Sequence, residues 1–134
     1  MTEEKTKDYR LGISFSVRRG RLLIYHSVIR RLGEPERIRF LLNSRDNHIA
    51  VQACEPIDKH SFRVPKAVEG ERYQFDISSS PLLSVLYKQC GWDADKTYLV
   101  YGKDYQKNHL VDFDLGTAEV ISPDEFIDPE NRME

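Results

Sequence analysis

The apolar positions of the chain fall into two periods, and those periods lay out its elements. Residues 11–17 (LGISFSV) put Leu11, Ile13, Phe15 and Val17 on one side, a period of two that predicts a half-buried strand. A turn at 18–21 (RRGR) uses Gly20, and 22–25 (LLIY) returns as the second strand of a hairpin. Ser27 is placed to cap a short helix over 28–32, with Val28, Ile29 and Leu32 inward and Arg30 and Arg31 in water. Gly33 then fits the position just past the helix, and Pro35 blocks its continuation. Residues 37–43 alternate Ile38, Phe40 and Leu42 against Arg37 and Arg39, and a turn at 44–47 (SRDN) leads into a strand over 48–53.

The stretch 54–70 is irregular, with Pro56, Pro65 and Gly70, and a short strand fits 61–64. Tyr73, Phe75 and Ile77 alternate within a strand over 72–77. The clearest helix follows, with Ser80 as its cap, Pro81 as its first residue and Gly91 as its stop. Its buried stripe is Leu82, Leu83, Leu86 and Cys90. Strands over 96–102, with Tyr98 and Val100 inward, over 109–115 and over 117–121 complete the series. Residues 123–134 read as a loose acidic tail.

Gly33 and Gly91 bring out an internal echo. Offset by 58 residues, Leu32 falls on Cys90 and Val28 on Leu86; past the glycines, without a gap, Phe40 falls on Tyr98 and Leu42 on Val100. Residues 11–53 and 71–121 then share one order: strand, short helix, strand, strand. Repeats of this kind bury a face of one copy against the other. The expected architecture is α+β and mostly β: one domain over 1–122, a small barrel of two pseudo-repeated halves.

Composition is that of an ordinary globular chain, 40% hydrophobic and 31% charged. No apolar run reaches the roughly 18 residues of a membrane span, and the polar opening (MTEEKTKDYR) lacks the apolar core of a secretion signal. Two cysteines, Cys54 and Cys90, are too few to staple a secreted mini-domain, so a reduced cytoplasmic chain is expected. Net charge is −2, but residues 1–40 carry ten Lys or Arg against five acids, while 41–134 carry ten against seventeen. Such asymmetry suits an anion-binding face with an acidic tail, or simply two unlike solvated faces.

Candidate chemistry is sparse. His26, His48, His60 and His109 are scattered, without the spacing of a metal-ligand set, so neither metal nor cofactor is expected. Cys54 near His60 suggests a thiol and a base, yet no orienting group or oxyanion loop accompanies them, and packing is the simpler role. No enzyme is therefore expected. Arg18, Arg19 and Arg21 cluster at a hairpin tip, and Arg37 and Arg39 share the outer face of a strand. Guanidinium forks suit phosphates and guanine edges; exposed strand arginines also serve solubility alone. Trp92, Tyr101 and Tyr105 have faces on which bases stack, though Trp92, just past Gly91, is placed to pack back on its helix.

Arg19 to Gln52 resembles the AbrB/SpoVT family of swapped-hairpin regulators and antitoxins. The resemblance is carried by Gly20-Arg21, the apolar 22–24, the short helix ending at Gly33, the strand 37–42 and the hairpin 43–52. It implies a β-rich DNA-binding protein whose interleaved hairpins form one barrel, built by a dimer or, here, within one duplicated chain. It implies that basic residues on the barrel contact DNA, and the candidates for those contacts are the arginines already singled out: Arg18, Arg19, Arg21, Arg37 and Arg39. The leading expectation is a non-enzymatic nucleic-acid-binding or regulatory module. The alternative is a protein-interaction domain that uses the barrel rim or the acidic tail. No membrane partner is expected.

Overall fold

A computed structural model of the chain describes residues 10–55, 59–66 and 75–122. The beginning of the 72–77 strand, with Tyr73, and the tail 123–134 lie outside the described residues. The first hairpin is β1 (Gly12–Ser16) and β2 (Arg21–Ile24), followed by α1 (His26–Arg31). Next come β3 (Arg37–Asn43), β4 (His48–Cys54) and the short β5 (Phe62–Arg63). The second half holds β6 (Phe75–Ser78), α2 (Ser80–Cys90), β7 (Thr97–Tyr105), β8 (Leu110–Asp114) and β9 (Glu119–Ile121).

Eight of these strands make a nearly closed antiparallel barrel in the order β5-β3-β4-β8-β7-β1-β2-β6, with β9 added to β7. Ladders between the halves hold it together. β1 pairs with β7, β2 with β6, and β4 with β8. The hairpins β3–β4 and β7–β8 pair alike. So do β3 with β5 and β7 with β1. The β1–β2 pairing has no counterpart between β5 and β6 among the described residues.

The inner face follows from register. Ile13 stands opposite Ile24 and Val100, Phe15 opposite Leu22 and Tyr98, Ile49 opposite Leu42 and Phe113, and Val51 opposite Phe40 and Val111. Most of these side chains are fully buried, and they form one contiguous core. The strand over 11–17 was expected to be half-buried, but all five residues of β1 are buried, Ser14 and Ser16 included. The reason is that β1 lies inside the sheet with both edges paired and its second side covered. The ring of Tyr25 crosses Gly12 so closely that an added Cβ would sit 2.5 Å from Cε2.

The two helices close opposite ends of the strands. α1 joins the Ile24 end of β2 to Arg37, and α2 joins the Ser78 end of β6 to Thr97. Both stop in the same way. Gly33, at φ +86°, donates to Arg30 O while Glu34 N donates to Ile29 O; Gly91, at φ +67°, donates to Lys88 O while Trp92 N donates to Tyr87 O. These are paired Schellman closures, which only a residue tolerant of positive φ makes at low cost. Trp92 packs back on its own helix as expected, edge to face with Tyr87 at 5.2 Å, and it also stacks on Tyr98 at 4.4 Å. The Tyr87 hydroxyl, buried beneath, lies within hydrogen-bond distance of two carbonyls, Phe15 O (2.9 Å) and Lys96 O (2.6 Å), for its single proton, and burial pushes its pKa up to about 12.

Four expectations are corrected. Ser27 is not the cap of α1: Tyr25 holds that position, and the Ser27 hydroxyl donates to Arg10 O at 2.6 Å, tying the helix to the chain before β1. Ser80 is not the cap of α2 either; Ser79 is, and Ser80 opens the helix. In each case the helix begins earlier because a backbone bond, Tyr25 N to Gly12 O or Ser79 N to Gly20 O, already anchors its entry. The buried residues of α2 are Leu83, Leu86 and Tyr87, while Leu82 and Cys90 are half-buried. Finally, the gapless match of the halves does not hold beyond the glycines. Asn43↔His48 closes one hairpin and Tyr105↔Leu110 the other, so β7 enters its hairpin four residues later than that match requires. The longer connection (GWDADK) carries Trp92 and accounts for part of the extra length.

Leu86 has no exposed surface. Leu86→Ala is expected to cost about 2–5 kcal/mol in denaturant melts, from lost transfer energy and the cavity left behind; a loss under about 0.5 kcal/mol would contradict this packing.

Candidate nucleic-acid interface

The five arginines singled out in the sequence do not form one patch. Arg18 and Arg19 sit in the β1–β2 turn, which Gly20 closes at φ +69°, and Arg21 opens β2. These lie at the α2 end of the barrel. Arg37 opens β3 at the α1 end, and three strands separate β3 from β1 along the sheet. Each end also has acids. Arg21 Nη1 lies 2.9 Å from Asp76, and Arg18 faces Asp95 at 3.9 Å with both side chains mostly exposed. Such exposed pairs contribute little to stability, but they offset the local positive charge. Arg39 holds Gln52 Oε1 through Nε (3.0 Å) and Nη2 (2.8 Å), and Arg37 holds Ser61.

The basic surface lies at the α1 end of the barrel. Around α1 are Arg10, Arg30, Arg31, Arg37 and Arg39, then Lys59, Arg63 and Lys66 about β5, and Lys107 on the β7–β8 hairpin. Those nine cations face four acids: Glu34, Glu36, Glu55 and Asp104. His26, His60 and His109 belong to the same end. Around α2, Arg18, Arg19, Arg21, Arg45, Lys88 and Lys96 face Asp46, Asp76, Asp93, Asp95, Asp114 and Glu119, six against six. Lys103 and Asp112 oppose each other between the two ends. Among the described residues the α1 end thus has a formal excess of five positive charges, and the α2 end has none. The linear sequence hides this, because RRGR is its densest basic run and its counter-acids come from distant strands and loops.

Among the described residues hollows open on this barrel, and two of them bear on its chemistry. One, of about 520 Å³, lies at the α1 end between the 34–37 segment and 63–66. The other, of about 260 Å³, lies on the outer face near the β3–β4 turn and includes His48 and Asp112. His48 Nδ1 stands 2.6 Å from Asp112 Oδ2, and Nε2 is 3.9 Å from Asp114. The hydrogen bond to Asp112 raises the imidazole pKa above its ordinary 6.5; partial burial opposes the rise, and the charges of Asp112, Asp114 and Asp46 add to it. Among the described residues that line this hollow the polar side chains are Asn43, Asp46, His48 and Asp112, with no hydroxyl or thiol. Among the described residues no group of three or more His, Cys, Asp or Glu side chains is placed to hold a metal ion. Cys54 and Cys90 are free, and burial raises the Cys90 thiol pKa, against activation. Among the aromatics, Tyr101 carries the Arg10 guanidinium over its ring at 4.7 Å, while Tyr105 stands exposed.

No family model matches this chain, and no curated protein or solved structure matches it. No helix among the described residues is long and apolar enough to cross a membrane.

The His48 pair predicts a pH dependence. A folded-state pKa above the unfolded value contributes stability in full below about pH 6.5, and that contribution is lost as pH rises through the folded pKa. Asp112→Asn should therefore be more destabilising relative to the parent at pH 6 than at pH 8.5, as read from urea melts. An equal loss at both values would show that the pair does not titrate with folding.

Proposed function

We propose that this chain is a non-enzymatic nucleic-acid-binding module of regulatory kind that presents the α1 end of its barrel to the phosphate backbone. The observation that carries the reading is the charge segregation among the described residues: nine cations against four acids at one end, and parity at the other. Phosphate contacts supply most sequence-independent affinity, and a rigid sheet that fixes several cations on one surface meets that requirement. The overall charge of −2 gives no long-range attraction, so local arrangement must provide it. The cross-half pairings, β2 with β6 and β4 with β8, are those an internally duplicated swapped-hairpin barrel would have, and they support that reading of the architecture. In it, Arg37 and Arg39 remain contacts, while Arg18, Arg19 and Arg21 are peripheral.

Labelled duplex in fluorescence anisotropy tests this. Affinity should fall with salt at a log–log slope of about −0.9 per phosphate contacted. Replacing Arg30, Lys59 and Lys107 by Ala should flatten the slope by about two to three units, with melting unchanged because all three side chains are exposed. The same change at Arg18, Arg19 and Arg21 should flatten it by less than about one unit. The reverse ranking would return the interface to the hairpin tip. No binding at about 10 µM in low salt would favour the protein-interaction role instead.

A further inference from the structure

The hollow at the α1 end contains an arrangement that costs stability unless something fills it. Arg37 and Arg63 are directly opposed across β3 and β5, so their side chains leave the same face of the ladder, and both line the cleft. Like charges so placed repel. Arg37 is held in position, because its Nε donates to Ser61 Oγ at 2.5 Å and its Nη2 to Ser61 O at 3.2 Å. Lys66 brings a third cation to the same wall. An anion between these groups would turn the repulsion into attraction, and a fork of guanidinium N–H groups matches phosphate oxygens.

The rest of the lining points to what the anion is attached to. Pro35 and Pro65 give the cleft rigid apolar faces, and Ile29 and Val64 lie buried beneath them as its floor. Val64 N donates to Glu36 O at 2.8 Å, so the two walls are joined before any ligand arrives. Glu34 and Glu36, just before Arg37 in the chain, also line the space and bring carboxylates to it. Glu34 does so at φ +50°, a left-handed conformation costly for a residue with a Cβ, held there by the helix closure through Ile29 O. A carboxylate accepts from the exocyclic amino group of a base. The volume, about 520 Å³, falls within the roughly 300–1,000 Å³ usual for small-ligand sites.

We infer that this cleft takes a nucleotide whose base carries an amino group, with its phosphate on Arg37, Arg63 and Lys66, its ring against the prolines above the Ile29 and Val64 floor, and its amino group on Glu34 or Glu36. The inference deepens the interface reading, because a flipped or single-stranded nucleotide at this place would sit within the basic end.

Methyl-labelled full-length protein, titrated with dCMP, dTMP and inorganic phosphate, tests it. The Ile29 and Val64 methyl signals should shift with dCMP, with affinity at least fivefold above that for dTMP or phosphate. Arg63→Ala combined with Lys66→Ala should weaken dCMP at least tenfold; both side chains are exposed, so the spectrum should otherwise be preserved. Glu34→Gln combined with Glu36→Gln should bring dCMP and dTMP level. Unmoved Ile29 and Val64 methyls at millimolar dCMP overturn the inference, as do equal shifts with phosphate alone. Duplex binding with unmoved methyls would end the nucleotide cleft and keep the interface; dCMP shifts without any strand or duplex binding would do the opposite.

Discussion

Everything in this barrel depends on strands of one half completing the sheet of the other. The β1–β2 hairpin sits between β7 and β6, and β4 finds its second partner in β8. A hairpin alone is marginal in water, and neither half has a sheet that closes without the other. The β1–β2 hairpin and the cross-half β1–β7 ladder together satisfy the backbone groups of β1 on its two edges and bury its full length. They also fix the two ends of the strands, so each helix has one end to close. α1 and α2 do this with the same glycine-based stop, after which the chain enters β3 or β7 directly.

The functional surface follows from that geometry. Residues far apart in the chain, from Arg10 to Lys107, come to one end because the strands run antiparallel and return. The acids of 93–95 and Asp76 come by the same logic to the end that carries RRGR. The cleft beside α1 arises where the short β5 pairs with the beginning of β3 and brings Arg63 opposite Arg37. Its strained Glu34 is a consequence of stopping α1 at Gly33 and turning at once through Pro35.

Much of the fold could be read in the sequence, because its signals are local. Alternation found β3, β4 and β8 to within one residue and β7 to within three, and Gly33 and Gly91 marked both helix ends. The helix beginnings were misread because their anchors, the Gly12 and Gly20 carbonyls, come from other elements. Burial of β1 on both sides was equally invisible, since Ser14 and Ser16 look like a solvent face until a sheet encloses them. The five arginines were the right residue type for an anion surface, but local density favoured the tip. Its neutralisation by Asp76 and Asp95, and the opposition of Arg37 to Arg63, depend on strand pairing that no short window of sequence contains.

The claim that the α1 end is the anion-binding surface is tested most directly by backbone amide shifts on adding a short duplex at low salt. The account predicts that perturbed amides cluster in 30–39, 59–66 and 106–110, with the 17–21 turn unmoved. Perturbation centred on Arg18, Arg19 and Arg21, with the α1 end silent, would contradict it.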